Sequence, residues 1–528
     1  MKFNSISWTA VALLTAAVLT GACIWAPTTA AESATWQMEP AWAQQAAPAP
    51  ALPVKDGLVQ VGEEVVQRLA SPKFTGGTTV PGLAAQERLV WSQNVTSSGA
   101  SYIAPHFSYF NLPEGARLVV RAPDNSRSWE FTGTGKGKLG LDEGFWATHI
   151  PGDTAILELF SDRPVDAGAV VMDRYAQGYP GAFDPPGGGQ EALCGPDDSL
   201  EAKCYQASQP SAYSKARAVA RLLINGTGAC TGWLVGSGGH LMTNQHCIGN
   251  SSTAMNTDYE FMAEGATCAT SCTSWFGCPG TVVANSATLV AVSAPLDYAL
   301  VQLPTNPVAT YGYLRMRDGT GTAAGERIYI PQHPQAWGKR IALESTHPGD
   351  TTGFCQVESV DRPACTGGPV DDIGYWCDTQ GGSSGSPVLA RCDNAVVALH
   401  HCRGAVINCG TPNRGVPIQA IIDDIGPDQL PPNSLSRGGC NDCGPGYCNK
   451  AGEFCDDLGC YPASSPQSVL FCQCRLADPT CGLGFCIGDN YCTGFNCPFG
   501  VCYIDTAPQS QVMCQGFSID PDSCEPVE

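Results

Sequence analysis

Cysteine divides this chain into parts that cannot fold by the same means. Of its 28 cysteines, Cys23 stands alone near the start, 13 lie from Cys194 to Cys409, and 14 lie from Cys440 to Cys524. The 170 or so residues between Cys23 and Cys194 contain none. Such density persists as disulfides in an oxidising compartment, so the two cysteine-bearing parts are expected to be stapled and the chain to be exported. The CxxC at Cys440 and Cys443 and the group Cys268, Cys272 and Cys278 have metal-like spacing. No histidine is spaced to complete either, so neither a metal nor any other cofactor is expected. Without Cys23 an odd number remains, which predicts one free thiol or one bridge between two chains.

The first 31 residues read as an export signal. Lys2 gives a basic start, Trp8 to Trp25 is mostly apolar, and small residues near Ala30 and Ala31 offer a cleavage site. Cys23 in VLTGAC gives lipoprotein anchoring as a lesser alternative, because Thr20 stands where a large aliphatic residue is expected. No later stretch is long and apolar enough for a stable membrane span. Residues 32–54, rich in Ala, Pro and Gln, read as a linker. The formal net charge of −21 argues against nucleic acid as a partner and fits a soluble acidic protein.

Residues 55–190 hold short aromatic and β-branched runs, among them SYIAPHFSYFNL, ARLVVRAP and TAILELFS, separated by turns such as PEG and APDNS. That pattern predicts a β-sandwich-like module of about seven antiparallel strands. His106 and His149 fall here without metal-ligand company and read as structural residues. The Gly- and Pro-rich stretch from Gly178 to Gly195 reads as an exposed linker and processing site. Its position favours the module being a pro-region that templates folding and blocks an active site, over a retained accessory domain.

Three later segments carry chemistry. GGSSGSPVL, Gly381 to Leu389, sets Ser384 among small residues on a tight turn. Such neighbours let a carbonyl approach the hydroxyl and leave the N–H groups of Gly382 and Ser384 free to form an oxyanion hole. ACTGWLVGSGGHLMTNQHCIG, Ala229 to Gly249, reads as a hairpin that delivers His246 to a strand end. Cys230 and Cys247 are placed to bridge it, closing a loop of about 17 residues worth on the order of 3 kcal/mol. APLDYALVQL, Ala294 to Leu303, puts Asp297 at the mouth of an apolar strand, where a carboxylate can orient a histidine.

In the order His246, Asp297, Ser384 the three segments resemble the TAAHC, DIAL and GDSGGP blocks of trypsin-like, chymotrypsin-fold serine endopeptidases. The run CTGWLV…TNQHC with GGSSGSP is most similar to the bacterial lysyl and glutamyl branches, over roughly Cys194 to Pro427. The resemblance implies a mainly β fold with a double six-stranded β-barrel protease domain at 191–428, whose early pair Cys194 and Cys204 is similar to that of lysyl endopeptidases. It implies Ser384 as nucleophile, His246 as general base and acid, and Asp297 as the group that orients the imidazole. Ser383 stands where digestive trypsins have an Asp that pairs with a freed N-terminal amine. Latency is therefore expected from the N-terminal module instead.

The resemblance leaves substrate preference open. Asp378, six residues before Ser384, lies where trypsin-like enzymes place the acid of the primary pocket, which favours Lys or Arg before the scissile bond. Thr379 and His400 resemble the pair with which glutamyl endopeptidases bind a carboxylate, and His401 beside them is expected on the pocket wall. Arg414 lies near the specificity Asp of lysyl endopeptidases and would oppose a basic side chain unless it pairs with Asp378. A basic preference is slightly favoured.

IQAIIDDIG, Ile418 to Gly426, suits a C-terminal helix stopped by Gly426 and Pro427. After a linker at 429–439, residues 440–528 hold 14 cysteines and few core residues, so this small disulfide-rich tail must be stapled. It either docks to cell wall, glycan or matrix protein or serves only to resist proteolysis. The expectation is a secreted serine endopeptidase acting on a protein or peptide substrate. The alternative is a catalytically idle adhesion or binding protein on a protease scaffold. An esterase lacks support, since no GxSxG elbow enters a helix.

Overall fold

The computed structural model describes residues 54–436, apart from 56–57, 77–86, 137–143, 182–192, 194, 320, 351, 366 and 403–410, together with five short strands between Tyr447 and Cys492. The export signal with Cys23, most of the first linker, the processing stretch and most of the cysteine-rich tail lie outside the described residues. Among the described residues no helix is long and apolar enough to cross a membrane.

The fold is mainly β. Residues 62–178 form two sheets, one of four strands (Arg88–Thr96, Thr154–Ser161, Ala116–Arg121, Ser128–Thr132) and one of five built on Gly62–Ala70, Val170–Gly178 and Tyr102–Phe110. Ala116–Arg121 and Thr154–Ser161 alternate buried and half-buried residues along their length. That period of two turns Leu118, Val120, Leu157 and Leu159 into the core shared with Ile103, Phe107 and Met172 of the other sheet. The nine strands exceed the expected seven because FWATHIP yields two short pairings, Phe145–Trp146 and Ile150–Pro151, on Tyr102–Phe110.

The remaining described strands up to Ser436 form two larger sheets, of nine and ten strands, and the five short strands beyond form a three-stranded and a two-stranded sheet. The nine-stranded sheet runs Thr281–Ala284, Thr257–Phe261, Val219–Ile224, Gly228–Val235, His240–Thr243, Tyr298–Gln302, Thr288–Ser293. Each sheet exceeds six strands in part because short strands are added to it. Leu58–Gln60 adds to Gly228–Val235, and Leu200–Glu201 adds to Arg340–Ala342. Val219–Ile224 and Gly228–Val235 are buried along their whole length rather than at alternate residues, which means that both faces of the sheet are covered. Leu222, Ile224 and Cys230 face the main core, which crosses into the ten-stranded sheet through Tyr329, Leu389 and Leu399. Leu223 and Ala229 face a second core with Tyr102 and Trp146.

Helix Ile418–Ile425 closes the ten-stranded sheet. Ile418, Ile421, Ile422 and Ile425 recur at helical spacing on its buried face, and Gly426, at φ 72°, stops it.

Candidate active site

His246 follows the end of strand His240–Thr243, and Asp297 opens the neighbouring strand Tyr298–Gln302. These strands pair antiparallel, Thr243 against Ala299, so the two residues meet at one sheet end. Asp297 Oδ2 lies 2.8 Å from His246 Nδ1, and Asp297 Oδ1 accepts the His246 backbone N–H at 3.0 Å. One carboxylate thus fixes both the ring and the backbone of the histidine, leaving Nε2 as the free nitrogen. The backbone of Asp297 is itself held, since Asn244 Nδ2 donates to its carbonyl at 2.8 Å. The disulfide Cys230–Cys247 ties the histidine's neighbour to the adjoining strand.

Ser384 comes from the other large sheet, on the turn that precedes strand Pro387–Ala390. Thr231, fully buried on the nine-stranded sheet, stitches that turn across the seam. Its N–H donates to the Ser384 carbonyl at 2.9 Å and its hydroxyl to the Gly382 carbonyl at 2.8 Å. Gly385 needs its glycine, since its φ is +85° and a Cβ would meet the Thr231 carbonyl at 2.2 Å. Ser383 N–H and Gly385 N–H are spent on Gln380 and His400 carbonyls. The N–H groups of Gly382 and Ser384 donate to no protein acceptor among the described residues. A pair of unclaimed amides beside a half-buried hydroxyl is what an oxyanion would fill.

His401, expected on the pocket wall, is instead buried behind Asp297. Its Nδ1 lies 3.4 Å from Asp297 Oδ2 and its Nε2 lies 3.2 Å from Asp372 Oδ2, with the imidazole 1% exposed. His401 is the extra residue of a β-bulge between His400 and Cys402 on Val396–Cys402, so simple alternation does not place its ring. Burial pushes His401 down, but its two carboxylate partners outweigh that and raise it to about 9. Burial pushes Asp297 up, but contacts from His246 and His401 outweigh that and hold it well below the usual carboxylate range. Asp372 was not legible from its own segment, VDDIGYW, which carries no signal beyond an acid at a strand start.

His400 meets the Tyr375 hydroxyl at 2.7 Å through Nδ1. Burial, followed by the charges of His401 and His246, pushes it down to about 3, so it is neutral under ordinary conditions. Asp378 and Thr379 are buried. Asp378 accepts the Asp198 N–H at 2.6 Å, and Arg414 does not reach it, donating instead to the Pro363 carbonyl at 2.6 Å. Burial first, then the charges of Asp197, Asp198 and Asp350, push Asp378 up to about 7. Asp350, also buried, is pushed up to about 6 by burial.

Two groups of ligand-type side chains gather among the described residues: Cys365, Asp372, His401 and Cys402, and Cys230, His246 and Cys247. In both the sulfurs are joined as disulfides, which leaves no thiolate to coordinate an ion. The group Cys268, Cys272 and Cys278 is likewise spent, on Cys204–Cys268 and Cys272–Cys278. Cys355 and Cys377 are buried free thiols.

Residues 230–399 match the model of the trypsin-like peptidase domain. The chain is 41% identical over 346 residues to Secreted RxLR effector protein 73 of Plasmopara viticola, covering 63% of this chain and 80% of that protein. The chain belongs to the trypsin-like peptidase family. Among solved structures the peptidase domain is similar to a Glu endopeptidase in complex with MPD, at 19% identity, TM-score 0.30, 44% of this chain and 96% of that one. It is similar also to Rv3671c from M. tuberculosis H37Rv in an inactive form, at 16% identity, TM-score 0.30, 44% of this chain and 98% of that one. The chain carries a trypsin-like peptidase domain, with cysteines tied as disulfides around it.

Proposed function

We propose that the protein is a secreted serine endopeptidase that cleaves after Lys or Arg. The observation that carries the reading is the double hydrogen bond from His246 to Asp297, which leaves Nε2 as the one imidazole nitrogen able to take a proton. Ser384 Oγ attacks the peptide carbonyl carbon while His246 Nε2 takes the hydroxyl proton. Asp297 keeps the tautomer and stabilises the imidazolium. Negative charge developing on the carbonyl oxygen is met by the N–H groups of Gly382 and Ser384. The tetrahedral species collapses as His246 gives the proton to the leaving amine nitrogen, and the acyl ester on Ser384 is then hydrolysed by water through the same groups in reverse order.

A basic residue before the scissile bond is supported by the crowding of Asp378, Asp350, Asp197 and Asp198. A cation entering there relieves the repulsion that, after burial, helps to push Asp378 up. An acidic preference would need a charged His400, and a buried imidazole pushed down to about 3 does not supply one. Secretion is supported by the disulfides and by the kinship with a protein named as a secreted effector. Docking of the 440–528 tail to cell wall, glycan or matrix belongs to the same proposal.

The test is labelling with a fluorophosphonate serine probe and turnover of a panel of chromogenic peptides, each compared with Ser384→Ala. Labelling that disappears in the variant, with turnover down ~10⁶-fold, is expected. An intact protein that neither labels nor cleaves would instead be an idle binding scaffold, and cleavage after Glu alone would overturn the basic preference.

A further inference from the structure

The segment expected to be a removable inhibitor makes none of its described hydrogen bonds, ion pairs or ring contacts with His246, Asp297, Ser384 or Gly382. It is seated on the face of the nine-stranded sheet lined by Leu223 and Ala229, away from the main core. Val59 and Gln60 continue that sheet by pairing with Ala229 and Gly228. The Tyr102 hydroxyl donates to the Gly226 carbonyl at 2.9 Å, and the Trp146 N–H to Asn256 Oδ1 at 2.9 Å. His149 meets Asp258 Oδ2 through its N–H at 2.8 Å and its Nδ1 at 2.7 Å, both groups being buried. Val59, Val61, Tyr102 and Trp146 share one core with Leu223, Ala229 and Phe276. An interface of shared strand, shared core and buried polar pairs resembles the interior of a domain more than a transient docking surface.

Phe276 is the residue through which this face reaches the catalytic turn. The rings of Tyr102 and His149 stand 4.9 and 5.1 Å from its ring, and the Arg221 guanidinium lies over it at 4.4 Å. The Phe276 N–H donates to the Ala336 carbonyl at 3.1 Å, and Arg221 Nη1 donates to the same carbonyl at 2.9 Å. Gln335 and Ala336 are consecutive non-glycine residues in the left-handed region, at φ 52° and 53°. Such a turn costs energy and persists only where its surroundings hold it. From it the Gln335 N–H donates to the Gly381 carbonyl, and a Cβ on Gly382 would come within 3.1 Å of the Gln335 and Ala336 nitrogens. The strained turn therefore backs the peptide that presents the Gly382 N–H.

We propose that residues 54–178 are a retained part of the catalytic unit, positioning the oxyanion turn through Phe276 and the loop His333–Trp337. This rests on the peptidase reading for its catalytic half, while retention stands on the interface alone. Any cut between Gly178 and Gly195 then yields a two-fragment enzyme and releases no inhibitor.

The experiment places a viral-protease recognition sequence within 182–192 of the full chain, cuts it, and runs the product on gel filtration beside the uncut protein. Co-elution, with turnover of a chromogenic peptide within about two-fold of uncut, is expected. Separation of the fragments overturns retention, and separation with a rise in turnover identifies an inhibitory pro-region. In the uncut chain, Tyr102→Leu is expected to lower kcat about 10-fold with KM within about two-fold, a fraction of what a missing oxyanion donor costs. Tyr102→Phe, which keeps the ring, is expected to restore most of it. A folded Tyr102→Leu with parental kcat overturns the positioning role, and Phe276→Leu serves the same comparison if Tyr102→Leu does not fold. An uncut parent without turnover would overturn the peptidase reading and the positioning role together, leaving retention to the gel-filtration result.

Discussion

Asp297 and Asp378 are both buried aspartates, yet their surroundings drive them in opposite directions. Asp297 accepts from the backbone N–H of His246 and meets its ring, and the His401 imidazole stands 3.4 Å behind it. Asp297 stays ionised despite burial. Asp378 receives one described backbone N–H and is ringed by other carboxylates, so burial and repulsion leave it half-protonated near neutrality. The contrast teaches that burial does not assign a carboxylate's role; the identity of its neighbours does. A permanently charged aspartate suits holding an imidazolium, and an aspartate poised to lose its proton suits waiting for a cation.

Asp297→Asn should break the first half of the comparison most severely. The amide cannot enforce the tautomer with Nε2 free, so kcat is expected to fall ~10⁴-fold with little change in KM, measured by steady-state kinetics on a basic chromogenic peptide. Asp378→Asn comes next. Loss of a buried charge partner is worth about 10²- to 10³-fold in kcat/KM for Lys or Arg substrates, and a peptide with a neutral residue at that position should be almost unaffected.

The same variant sharpens the comparison by pH. With Asp378 raised to about 7, the free enzyme's pocket gains its charge as pH rises through that value, so 1/KM for a basic peptide should climb there and the climb should vanish in Asp378→Asn. A parental KM that is flat between pH 6 and 8 would assign the pocket charge elsewhere.

The smallest effect concerns His401. Its folded value of about 9 lies above the unfolded 6.5, so its stabilisation is complete below pH 6.5 and is lost as pH rises through 9. Melting temperature should decline over that window, and His401→Gln should lower it by about 5 °C at pH 6 while flattening the decline.

Much of the site was legible because triad chemistry restricts which residue may stand where. A nucleophilic serine needs small neighbours, and those leave a visible string around Ser384. The pairing partner of His246 was likewise legible as an acid opening an apolar strand between the two other motifs. Thr231 and Asn244 were not, because a hydroxyl and an amide that donate to distant carbonyls look in sequence like any other polar residue in a strand. His401 was not legible as a partner of Asp297 for the same reason: the dipeptide His-His does not reveal the bulge that sets where its ring goes.

From the chain of residues alone came the mainly β class, the peptidase family, the His246–Asp297 partnership and the bridge Cys230–Cys247. These are local or motif properties, since strand alternation, turn chemistry and a catalytic string are written within a few neighbouring positions. Tertiary structure alone decided that Asp372 stands behind His401, that Asp378 sits among acids rather than beside Arg414, and that Tyr102 presses on Phe276. Each of those depends on segments tens to hundreds of residues apart meeting across a shared core, and only the closed sheets define which side chains arrive together.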